Sequence, residues 1–108
     1  MSFQRIQLAK AKELFDAGNV NVADVRDALS FQAGHIKNAK HIDNSSIGEY
    51  LTTTNKEQPL IVCCYHGNAS QNVANFFVSE GYQEVYSLDG GYEMWKLAFP
   101  ELCVTPRT

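Results

Sequence analysis

The run Cys64-Tyr65-His66-Gly67-Asn68-Ala69-Ser70 holds the residues best suited to covalent chemistry in this chain. A cysteine becomes a nucleophile when its thiolate is stabilised, either by a cation or by converging N–H dipoles. No Lys or Arg stands between Lys56 and Lys96, so the run holds no permanently charged cation. Gly67 can take a positive φ without steric cost, which lets successive backbone N–H groups turn toward one point. That point is the Cys64 sulfur, with the positive end of a following helix behind it. An ordinary thiol, with a pKa of about 8.5, is only a few per cent ionised at neutral pH, and raising that to roughly half takes about 2 kcal/mol. A helix terminus and several amides can supply this. The alternative is that Cys64 is a small buried hydrophobe, the usual condition of a free cysteine.

The other candidate groups read as structural. Cys63 is still within a strand, where successive side chains point to opposite faces, so it is expected to be a core thiol. Cys103 follows Pro100 in a polar tail and reads as an incidental surface thiol. Three cysteines make neither an even disulfide framework nor a Cys-x-x-Cys pair, which fits a reducing compartment. His35, His41 and His66 lack zinc-ligand spacing, and no metal is implied. His66 is the one side chain in the loop that can become cationic. It either assists the anion below neutral pH or faces solvent at the loop tip. Asp24 and Arg26 read first as an ion pair bracing loop ends.

A strand must deliver Cys64 and a helix must follow it. After Pro59, Leu60 to Cys64 is continuously apolar, the pattern of a central parallel strand covered on both faces. Ala69, Val73, Phe76 and Phe77 follow helical spacing, and Gly81 closes that helix. Around this pair the chain alternates. Gln4 to Ile6 is a short strand; Leu8, Ala11, Leu14 and Phe15 share a helical face ended by Gly18; Val20 to Val25 is a buried strand. Phe31 to Gly34 forms a short helical or turn segment. Ser46 and Glu49 stand at capping-box spacing ahead of a helix running into Thr52 to Thr54. Val85 to Leu88 is the last strand, and Asp89 is expected to cap a final helix through Tyr92, Trp95 and Phe99, stopped by Pro100. The alternation predicts an α/β fold with a mainly parallel sheet, whose strand-to-helix turns at the carboxyl edge bind ligands.

Composition narrows the function further. At 108 residues the expectation is one domain, 1–108, and 44% hydrophobic with 19% charged residues is the range of folded proteins. A net charge of -3 argues against nucleic acid or an anionic membrane as partner. The longest apolar run, Leu60 to Tyr65, is too short to span a bilayer, and Met1 to Ala17 is broken by charges before a signal sequence can form. A soluble, cytoplasmic protein is expected.

Asp24-Val25-Arg26, Phe31, Gly34-His35-Ile36 and Ala39 resemble the amino-terminal signature of rhodanese domains, and Leu88-Asp89-Gly90-Gly91-Tyr92 with Trp95 resembles their carboxyl-terminal one. The Cys64 loop lies between, where that family places its catalytic cysteine. The resemblance implies a rhodanese-like five-stranded, mainly parallel sheet with helices on both faces, no cofactor, and ping-pong sulfur transfer. Thiosulfate would charge Cys64 as a persulfide, and cyanide, a small thiol or a thioredoxin-like protein would accept the sulfur. The binding groups implied are the backbone N–H groups of Tyr65, His66, Gly67, Asn68 and Ala69, with the Ser70 hydroxyl added. The Tyr65 side chain covers the persulfide, contacts an acceptor, or only packs over the loop. Gly90, Gly91, Tyr92 and Trp95 are expected to form a close turn and an aromatic anchor without chemistry. Two rival readings remain: a regulatory or partner-binding rhodanese module, and a Cys-dependent phosphatase or arsenate reductase. The latter wants an arginine fork six residues after the cysteine, where this chain has Ser70. Without loop cations, thiosulfate should bind weakly, with a KM of about a millimolar, or another donor should serve.

Overall fold

Side-chain alternation along the central strand decides how the layers stack. In the computed structural model, which describes residues 2–106, strand β5 (Leu60–Cys63) is buried along its whole length. It pairs in parallel with β2 (Asn21–Asp24) and β6 (Val85–Leu88). Outside these lie β1 (Gln4–Ile6) beside β6 and β4 (Lys40–His41) beside β2, giving the order β1-β6-β5-β2-β4 with every pairing parallel. Ile61 and Cys63 point to the face covered by α1 (Leu8–Ala17) and α5 (Gly91–Ala98), where Ala11, Tyr92 and Trp95 are buried. Leu60 and Val62 point to the face covered by α3 (Ile47–Thr53) and α4 (Ala69–Ser79), with Tyr50, Ala74 and Phe77. Each fully buried aliphatic side chain of this kind contributes about 1.5–3 kcal/mol. The fold is therefore α/β with helices on both faces. Among the described residues no helix is long and apolar enough to cross a membrane.

Several local expectations give way to competing partners. Helix α2 (Ala28–Ala33) starts one turn earlier than expected because the Asp27 side chain accepts the Ser30 N–H. Ser46 holds the N-cap position of α3, but its side chain makes no capping hydrogen bond. Asp43 Oδ1 takes the N–H groups of Ser45 and Ser46 instead, and Ser46 Oγ accepts from the Asp43 N–H. Asp89 does not cap α5 either: its carboxylate pairs with Arg5 Nε at 2.8 Å, and Gly90, at φ +80°, precedes the helix. Helix α5 ends ahead of Pro100 as expected, and Pro100 then opens a 3-10 turn (Pro100–Leu102). Beyond it β7 (Cys103–Val104) pairs antiparallel with β3 (His35–Ile36). Cys103 is thus a half-buried strand residue, not a surface thiol, and burial pushes its pKa up.

Candidate active site

Strand β5 ends at Cys63, so Cys64 is the first loop residue at the carboxyl edge of the sheet. Its Sγ accepts the Gly67 N–H at 3.2 Å and the Ser70 N–H at 3.3 Å, and lies 3.3 Å from Ser70 Oγ. Ser70 stands in the first turn of α4, where the N–H groups have no partner within the helix and are free to bind an anion. The Gly67 N–H reaches the sulfur because Gly67 adopts φ +95°. A Cβ there would also lie 3.0 Å from Leu88 O and 3.1 Å from Gly90 N, so neither the conformation nor the space admits a side chain.

Burial alone would raise the Cys64 pKa. The Ser70 hydroxyl and the N–H groups of Ser70, Gly67 and His66 outweigh burial and hold the thiol below its ordinary range. Cys63 is pushed well above that range, first by burial and then by the neighbouring Asp24 carboxylate. The two sulfurs are adjacent in sequence and opposite in character, as the period of two along a strand requires.

The loop is held from behind by the β6–α5 turn. At the start of α5, the Tyr92 N–H donates to Cys64 O at 2.8 Å and the Glu93 N–H donates to Tyr65 O at 3.2 Å. Because each peptide unit is planar and trans, a carbonyl fixed toward α5 aims the N–H of the same unit away from it. The Tyr65 carbonyl shares its unit with the His66 N–H, one of the groups that favour the thiolate. Gly91 makes this approach possible: at φ +59°, its Cβ would lie 2.5 Å from Tyr65 O and nearer still to Cys64 O. Gly91 touches no sulfur, yet it sets the distance on which the loop's orientation depends. The Gly-Gly pair at the end of a strand was the available signal.

The remaining candidates fall into two groups. Gly67 and Ser70 meet the sulfur, whereas the N–H groups of Tyr65, Asn68 and Ala69 make no hydrogen bond to it among the described residues. His66, Asn68 and Ala69 are exposed. The Tyr65 hydroxyl lies 2.9 Å from Ser30 Oγ, so the ring reaches toward α2. Asp24 and Arg26 form a buried pair, with Nη2 and Oδ2 at 2.7 Å, and Arg26 Nη2 also donates to Gly34 O at 2.6 Å. Burial works against the Arg26 charge, but the Asp24 hydrogen bonds prevail and its pKa is raised. Its guanidinium lies over Tyr92, on the side of the sheet opposite Cys64. His35 Nδ1 lies 2.8 Å from Phe31 O, a contact to backbone. One participant was missed from sequence: Ser87 on β6, whose Oγ is 2.7 Å from Ser70 Oγ. A lone serine among Val85, Tyr86 and Leu88 was its only trace.

Comparison with known proteins places this geometry. The family model for the rhodanese-like domain matches residues 7–98. The chain is 44% identical over 99 residues to thiosulfate sulfurtransferase GlpE of Pseudomonas aeruginosa (strain LESB58), covering 92% of this chain and 89% of that protein. It is 48% identical over 98 residues to the protein of the same name from Ectopseudomonas mendocina, covering 91% and 89%. Among solved structures, it resembles a rhodanese-like domain protein from Staphylococcus aureus with a TM-score of 0.74 at 26% identity, covering 86% of this chain and 91% of that one. A rhodanese-related protein from Thermoplasma volcanium gives a TM-score of 0.74 at 26% identity, covering 89% and 93%.

Proposed function

The chain belongs to the rhodanese-like family, and from that premise we propose that it is a thiosulfate sulfurtransferase working through a persulfide on Cys64. The observation that carries this reading is the Cys64 sulfur held by the Gly67 and Ser70 N–H groups at the start of a helix. The Cys64 thiolate attacks the outer sulfur of thiosulfate. A new S–S bond forms, the old one breaks, and its electron pair leaves with sulfite. The persulfide anion then occupies the mouth of the same loop, where the amides that stabilised the thiolate serve it in turn. In the second half-reaction, cyanide or a thiol, including that of a thioredoxin-like protein, attacks the terminal sulfur and the Cys64 thiolate leaves. Since Cys64 is only 3% exposed, a donor that presents a terminal sulfur suits it better than a bulky one.

A phosphatase mechanism has no support in the geometry. Ser70 occupies the place of a fork-forming arginine, and Arg26 is committed to Asp24. With three free cysteines in the chain, a reducing compartment such as the cytoplasm is the setting in which this thiol works. One domain carries both half-reactions.

Incubation with thiosulfate followed by intact-mass measurement tests the proposal. The expected result is a gain of one sulfur atom in the wild type and none in Cys64→Ser. A wild type that gains nothing would point instead to a binding module. A steady-state titration in the same preparation should give a KM for thiosulfate of about a millimolar, because no side-chain cation of the loop helps to hold the dianion.

A further inference from the structure

Ser87 is fully buried in β6, with its hydroxyl on the α4 side of the sheet. Among the described residues its one hydrogen-bond partner is Ser70 Oγ, 2.7 Å away, and Ser70 Oγ in turn lies 3.3 Å from Cys64 Sγ. The three atoms form a chain with two hydroxyl protons to place. If Ser70 donates to Ser87, the Ser87 proton has no acceptor, and a buried donor is left unpaired. If Ser87 donates to Ser70, the Ser70 oxygen is occupied and its own proton is free to point at the sulfur. The second arrangement leaves no donor unpaired, and it presents an O–H to a sulfur that carries negative charge. Each bond in such a chain polarises the next.

We propose that Ser87 is a positioning residue for sulfur transfer: its hydroxyl donates to Ser70 Oγ and thereby commits the Ser70 proton to the anionic sulfur of Cys64. The inference rests on Cys64 being the nucleophile of the proposed reaction, and it goes further by assigning a role to a residue that touches neither sulfur nor substrate. Other ionisable groups near the loop do not take this place. Cys63 on β5 and the Asp24–Arg26 pair at the end of β2 lie on the opposite face, and α4 has no acidic residue in its first turn. His66 is exposed at the loop tip. In the β6–α5 turn Asp89 is bound to Arg5, and on α5 Glu93 is paired with Lys96.

The test reads the thiol directly, by peptide-resolved alkylation of Cys64 with iodoacetamide across pH in the full chain. In Ser87→Ala the rate at pH 7 should fall about three- to tenfold and be regained by about pH 9, since the thiolate is what reacts. Ser87→Thr, which keeps the hydroxyl, should follow the wild type. In a Ser70→Ala background, adding Ser87→Ala should shift the profile no further, because the effect passes through Ser70. A Ser87→Ala profile that overlays the wild type, or one that adds in full to Ser70→Ala, would overturn the proposal. Should Ser87→Ala fail to fold, Ser87→Cys, a weaker donor of similar shape, is expected to shift the profile in the same direction by less, and no shift would count against it. A wild type that takes no sulfur from thiosulfate, alongside an intact alkylation shift, would refute the transferase reading and leave the role of Ser87 standing.

Discussion

The α1/α5 face of the sheet buries Asp24, Arg26 and Cys63, whereas the α4 face buries Cys64, Ser70 and Ser87. Both regions confine a charge at the same edge of one sheet, by different means. On the first face a guanidinium and a carboxylate neutralise each other, at a desolvation cost that a buried pair seldom more than repays. The Cys63 thiol beside them is kept neutral, its pKa pushed well up. On the second face no cation meets the Cys64 sulfur among the described residues, and amides with hydroxyls hold the anion. A fixed dipole can favour an anion without being neutralised by a partner, so the Cys64 side remains chemically available and the Asp24 side does not. Sequestering Arg26 is part of this division, since a free guanidinium near the loop would alter which anions it attracts.

Removing the carboxylate should destabilise the first region and leave the second intact. Asp24→Asn leaves Arg26 buried without its counter-charge and should cost about 3–5 kcal/mol in chemical denaturation. The alkylation rate of Cys64 in the folded protein should stay within about a factor of two. Equal collapse of stability and thiol reactivity would show that the two faces are not independent.

Gly91→Ala strikes the second region through its support. The added Cβ meets Cys64 O and the Tyr65 carbonyl in a left-handed conformation, so the loop must shift. We expect kcat/KM for thiosulfate to fall by at least about tenfold, equivalent to about 1.4 kcal/mol. Gly18→Ala is the control: it has the same sign of φ with nothing near its Cβ. It should lose about 1 kcal/mol of stability and no turnover. Similar kinetics for the two variants would argue against the role given to Gly91.

The two thiols also differ in how pH acts on stability. Cys64, with a depressed pKa, contributes stability that is present above the unfolded thiol value of about 8.5 and is lost as pH falls through its folded value. Cys63, with a raised pKa, contributes stability that is present below about 8.5 and is lost as pH rises toward its folded value. Thermal melts between about pH 6 and about pH 9 should therefore show the wild type's advantage over Cys64→Ala growing with pH, and its advantage over Cys63→Ala shrinking. Parallel slopes would mean that the two thiols share one environment.

Much of this contrast was legible in the sequence because it is local. The apolar run before Cys64, the helical spacing after Ala69 and the alternation separating Cys63 from Cys64 each depend on neighbours in the chain. What escaped was long-range or competitive. Ser87 meets Ser70 across 17 positions, and Gly91 meets Cys64 only because β5 and β6 are neighbours in the sheet. The two-residue strands β3 and β7 are too short to carry a periodic signal. Ser46 and Asp89 had the right types and spacing for caps, but Asp43 and Arg5 offered stronger partners. The Cys64 sulfur takes the Gly67 and Ser70 N–H groups, whereas the sequence pointed to the N–H groups of Tyr65, His66, Gly67, Asn68 and Ala69 for the persulfide.

The fixing of the loop carbonyls by the first amides of α5 has a consequence for control. Positive potential supplied by lysine or arginine can be screened by salt or erased by acetylation, and at this site neither lever has anything to act on. The potential at Cys64 belongs to backbone amides and the buried Ser70 hydroxyl, so ionic strength and lysine acetylation leave it in place. A rearrangement that lifts the loop from α5 would weaken it, which makes the hydrogen bonds from Tyr92 and Glu93 a point where a regulator of this thiol can act.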